Sequence, residues 1–181
     1  VLTRPLAACL VGASVLFTAA CNSGDSGRPE PTASATSPSP TTVEPSAIAG
    51  SDAIAAYRGM WDAFVEAGKV SDPDAPALRK YASGQALRLI VNALYTNREQ
   101  KEVILGELVL DPKVTALTPA EDPAKATILD CVNDEKWLEH KASGGLANDE
   151  PGGRHRTTAT VDRTAEGWRV SSFILEGAGT C

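Results

Sequence analysis

VILGELVLDPKVTALTPAEDPAKATILDCV, residues 103–132, is where the apolar period of this sequence changes from helical to extended. Residues 103–110 form a dense apolar run, Asp111-Pro112 is a turn signal, and residues 113–118 resume with β-branched residues. A Pro-containing turn at 119–123 leads into a third extended run, 124–132. Short apolar runs punctuated by Pro and Asp read as strands joined by tight connections. Upstream the spacing is helical. Ser51 reads as an N-cap with Asp52 in the first turn, where a carboxylate suits the helix dipole. Ile54, Tyr57, Trp61, Phe64 and Val65 then fall on one stripe, and Gly68 ends it. SDPDAP (71–76) is a turn before a short helix over 77–82, and 85–98 is a third helical run with Leu87, Ile90, Val91, Leu94 and Tyr95 as its apolar set. Downstream, 141–153 is a polar Gly- and Pro-containing loop, and 154–163 and 168–175 form a hairpin across Thr164–Gly167. Helices first and antiparallel strands after predict one α+β domain over 51–181, with the helices on one sheet face.

The N-terminal fifty residues are different in kind. Arg4 precedes an apolar run from Leu6 to Ala20 that ends in Thr18-Ala19-Ala20. A basic start, a short apolar centre and small residues before a cut define a signal peptide over 1–20. Residues 22–50 are dominated by Ser, Thr, Pro, Gly and Ala. Such a segment buries too little apolar surface to offset the entropy of ordering it, so 21–50 reads as a disordered stalk. The whole chain has 181 residues, with 17 Lys+Arg against 23 Asp+Glu and a net charge of −6. That balance speaks against nucleic-acid binding, which needs basic surface to displace counterions from phosphates.

Ala19, Ala20 and Cys21 resemble the signal of bacterial lipoproteins, in which two small residues precede a Cys that is acylated and becomes the new N-terminus. That resemblance implies an anchor by acyl chains at Cys21, on the membrane and not through it. The helix–strand order, Gly167-Trp168-Arg169-Val170 in the closing hairpin and the Asp130-Cys131 pair are similar to small actinobacterial lipoproteins. Their domains look like the nuclear transport factor two fold (polyketide-cyclase-like, cystatin-like), which implies a curved, mostly antiparallel sheet wrapped round N-terminal helices. This fold hosts enzymes and binding modules alike, so it implies no single activity.

Of the four Cys, Cys9 leaves with the signal peptide and Cys21 is consumed by lipid. Cys131 and Cys181 remain, and in an oxidising exterior they are expected to form one disulfide. Two Cys and two distant His lack the paired spacing of a zinc site. The acidic residues Asp130, Asp134, Glu135 and Glu139 lack the loop signature of a calcium site and read as a solvated turn. No metal and no cofactor is expected. Neither a nucleophile elbow, a phosphate loop nor a dinucleotide fingerprint occurs in the sequence.

His140 lies in NDEKWLEHK, which reads as a solvated helical turn or loop. Trp168 is expected in the core; Trp137 fits either the core edge or an exposed contact. By two-residue alternation Asp130 and His155 both fall on the less polar side of their strands. A carboxylate and an imidazole directed into one sheet concavity are the only candidate acid/base pair. The expected function is a non-enzymatic, lipid-anchored protein on the extracytoplasmic face of the cell membrane, binding an envelope protein or a small ligand. The alternative is an isomerase- or dehydratase-like enzyme using Asp130 and His155.

Overall fold

In the computed structural model, residues 44–181 are described; the expected signal segment 1–20, Cys21 and the expected stalk up to residue 43 lie outside the described residues. Glu44 is extended and Pro45 stands at the first helical position, where a missing N–H removes no helix hydrogen bond. Helix α1 therefore runs Pro45–Gly68 and does not start at Ser51. The Ser51 hydroxyl donates back to Ile48 O at 2.8 Å and caps nothing. Residues 45–50, expected in the stalk, are helical because Ala47, Ile48 and Ala49 extend a good helix former up to that Pro. Helices α2 (Pro76–Tyr81) and α3 (Gly84–Gln100) follow, then strands β1 (Glu102–Val109), β2 (Lys113–Thr118), β3 (Lys125–Lys141), β4 (Arg154–Thr164) and β5 (Gly167–Leu175). The result is an α+β fold, helices first and an antiparallel sheet after.

The sheet order is β1-β3-β4-β5, with β2 also on β3. Asn133 is paired with Val109 on one side and Arg154 on the other, while Leu129 pairs with Lys113 and Thr158. Strands β1 and β2 thus lie end to end along the same edge of β3, separated by the Leu110–Pro112 break. Sequence periodicity ended β3 at Val132, and NDEKWLEHK was expected as a turn or loop; instead it is strand, because β1 supplies its backbone partners. Opposite Glu107 and Val109 the register shifts. At that bulge Asn133 Oδ1 accepts the Glu135 N–H at 2.9 Å. The extra residue changes which side chains face the core. Before it Asp130 and Val132 point inward; after it Trp137 does, meeting the Phe64 ring edge-on at 5.0 Å. Gly106 makes this pairing feasible. Its φ is +111°, and a Cβ there would lie 1.6 Å from Lys136 O.

The buried face of α1 presents Ala53, Ala56, Tyr57, Met60, Trp61 and Phe64 to the sheet. The small residues let the helix sit low, and the large ones fill the space against Ile128, Val132, Val161 and Phe173. Trp61 packs at 5.5 Å from the Phe173 ring. From α3, Ile90 and Leu94 are buried, Leu87 and Val91 are partly buried, and Tyr95 is exposed. Trp168 packs against the same cluster. The outer edge of β5 is covered in an unusual way. Gln85 donates from Nε2 to Phe173 O at 3.1 Å and accepts the Phe173 N–H on Oε1 at 3.0 Å, so one side-chain amide stands in for a neighbouring strand. Cys131 and Cys181 are joined as a disulfide with Cα atoms 6.0 Å apart.

Candidate functional site

Asp130 is 4% exposed. It lies on β3 opposite the break between β1 and β2, and its Oδ1 accepts the Asp111 N–H at 2.7 Å. In an unbroken edge strand that N–H would have a backbone partner; here the carboxylate replaces it. Oδ2 has no hydrogen-bond partner, and neither do Tyr57 Oη and Trp61 Nε1, all three buried. These atoms are close enough to act on one another. Burial, and then the Asp130 charge, push the Tyr57 phenol well above its usual range. Burial likewise raises Asp130, against the pull of the Asp111 N–H.

His155 sits in register with Val132, on the face that Asp130 also occupies. The two candidates thus share a face, but the hydrogen bonds of each go elsewhere. His155 Nε2 is 3.1 Å from Asp134 Oδ1 and Nδ1 is 2.8 Å from Glu176 O. The two contacts fix the plane of the ring between β3 and the segment after β5. Asp134 is aimed at His155 by the bulge, and its Oδ1 also accepts the Gly153 N–H at 2.6 Å. Gly152 allows this approach, since a Cβ there would come within 2.3 Å of Asp134 O.

The His155–Asp134 pair lines an open cleft of about 410 Å³ at the end of the sheet, with Trp137, Glu139, Glu150 and Ala178 among its walls. The side chains of His155 and Asp134 are 13% and 23% exposed. The loop between β3 and β4 is held over this cleft by Asn148, which donates to Glu139 Oε2 at 3.1 Å. Sequence reading placed Asp134 in a solvated turn. The signal that would have found it is the Asn133-Asp134 pair inside an otherwise extended run, a composition typical of bulges and turns. His140 stands on β3 opposite Val103, not in a helical turn or loop. Smaller grooves of about 320 Å³ (by Tyr81 and Trp168) and 290 Å³ (by Trp61 and Leu108) flank α1. Among the described residues no group of three or more His, Cys, Asp or Glu is placed to hold a metal ion.

No protein-family model matches the chain, and no curated protein matches it in sequence. Several solved structures are similar in fold. One is the intermembrane space region of the chloroplast protein ARC6, with 14% identity over 70% of this chain and 98% of that one, at a TM-score of 0.48. A second, from Nostoc punctiforme, is a protein of unknown function with a cystatin-like fold: 9% identity, 70% of this chain, 92% of that one, TM-score 0.43. A third, from the same organism, is a domain of unknown function with a cystatin-like fold: 15% identity, 71% of this chain, 76% of that one, TM-score 0.40. These likenesses concern the fold alone.

Proposed function

We propose that this chain is a lipid-anchored cell-envelope protein of the actinobacterial lipoprotein kind. In this reading it is acylated at Cys21 and binds a partner protein or small ligand at the outer face of the membrane, without catalysis. The observation that carries the non-enzymatic part is the filling of the sheet's helix-facing side. Tyr57, Met60, Trp61 and Phe64 occupy the space that an isomerase or dehydratase would need for substrate. Of the openings described, the cleft beside His155, edged by Glu139 and Glu150, suits contact with a complementary surface or a small polar ligand. Among the described residues no helix is long and apolar enough to cross a membrane; attachment is assigned to Cys21.

Two measurements test this reading. Metabolic labelling with a clickable fatty acid should mark the wild type and not Cys21→Ala; equal labelling refutes the anchor. Crosslinked capture from membranes should yield a partner that Glu150→Lys loses and Lys80→Glu, in the groove beside Tyr81, retains. A partner held equally by both variants would move the contact away from the cleft.

A further inference from the structure

The segment after β5 runs beside the start of β4 with little to hold it. Residues 176–179 and Cys181 are exposed, and Thr180 is half-buried. The Glu176 N–H donates to Arg156 O at 3.0 Å and the Gly179 N–H to Arg154 O at 2.8 Å. The Arg156 N–H donates to Thr180 Oγ1 at 2.9 Å. Such exposed bonds barely offset the entropy of ordering the residues that make them. The bond from Cys181 to Cys131 is the one covalent tie between this segment and the sheet. Yet this segment supplies two parts of the cleft: Glu176 O holds His155 Nδ1 at 2.8 Å, and Ala178 forms part of the wall.

We propose that the Cys131–Cys181 disulfide is a redox latch on the cleft, which a dithiol reductant opens by releasing residues 176–181 and with them the orientation of His155. The surroundings of the sulfurs favour this chemistry. Cys181 is exposed, and Arg154 Nε lies 3.4 Å from Cys131 Sγ. The groove of about 170 Å³ beside both Cys residues is lined by Arg156 and by Lys113, which is paired with Asp111 at 3.3 Å, together with Asp130. One thiolate of the reductant attacks Cys181 Sγ. The Cys131–Cys181 bond breaks, and its electron pair leaves on Cys131 Sγ, stabilised by the Arg154 guanidinium. The reductant's second thiolate then attacks the mixed disulfide and expels the Cys181 thiolate. The reductant ends as its own disulfide, two electrons have moved, and the new thiolates take protons from water. Oxidation by any disulfide of higher potential reverses the sequence.

The latch rests on the proposed function only for what the cleft binds; its structural claim is tested without a ligand. Isotope-labelled full chain is compared by nuclear magnetic resonance in its oxidised form, with excess dithiothreitol, and as Cys181→Ser. Order parameters of the 176–180 amides should fall from about 0.85 to below about 0.6, and the His155 ring nitrogens should change shift. The signals of Ile128 and Val161 should stay in place, marking a sheet that is still folded. Cys181→Ser should match the reduced form without reductant. An ordered segment and an unmoved His155 after full reduction would overturn the latch. Loss of the core signals would overturn it too, because the bond would then be a staple for the whole fold. A latch that opens in a protein without a cleft-dependent partner refutes the proposed function alone.

Discussion

Asp130 brings a carboxylate into the core and bonds one of its oxygens to a backbone N–H, leaving the other without a hydrogen. Burial raises its folded pKa above the unfolded carboxylate value of about 3.9. Between the two values the folded chain binds more protons than the unfolded one, so stability falls as pH rises through that window and stays reduced above it. Asp130→Asn keeps an acceptor for Asp111 and gives Tyr57 Oη a donor. We expect its melting temperature to exceed that of the wild type by a few degrees at pH 7, with the gap closing below pH 4. A variant that melts lower at both pH values would mean that the carboxylate stabilises the fold as a charge. Alternation along 126–132 was enough to place Asp130 on the apolar side. Its partner Asp111 was not legible, because a contact across a broken edge strand leaves no trace in either strand's period. His155 was legible in the same way, whereas Asp134 was hidden by a bulge that alternation cannot anticipate.

At the scale of elements, the helices and the final hairpin follow closely from spacing, since each buries one face against a single core. The long β3 does not, because its second half is polar and becomes strand only through its pairing with β1. A local pattern carries no information about a partner thirty residues away, and tertiary pairing overrode it. Gln85 is another case: its place at the start of α3 was expected, its role as surrogate strand was not. Gln85→Ala removes two hydrogen bonds from Phe173, whose ring is in the core. We expect a loss of about 1–3 kcal/mol in urea unfolding; a change within error would show that water replaces the amide at that edge.

For the molecule as a whole, the disulfide expected between Cys131 and Cys181 is present and closes a loop with a sequence separation of 50. In the chain-entropy account, replacing both residues by Ser should cost about 4 kcal/mol, read as an earlier urea midpoint with a slope at least as steep as that of the wild type, because the denatured chain without the cross-link is less compact. A loss below about 1 kcal/mol would mean that the unfolded chain is already compact around this pair. What the sequence left open at this scale is the volume inside the sheet. Periodicity identifies which residues of α1 face inward, but whether Trp61 and Phe64 close the concavity or only rim it depends on the depth at which the helix lies.

The interruption between β1 and β2 also bears on how copies of this domain meet. A long uninterrupted sheet margin offers unpaired backbone groups to a second copy of its own kind. Here that margin is split by Pro112, bent by the bulge facing Glu107 and Val109, and started again with Lys113. Each piece is too short and too angled to template a matching strand from a neighbour. The same kink that brings the Asp111 N–H to Asp130 thus also breaks the margin along which a second copy could pair.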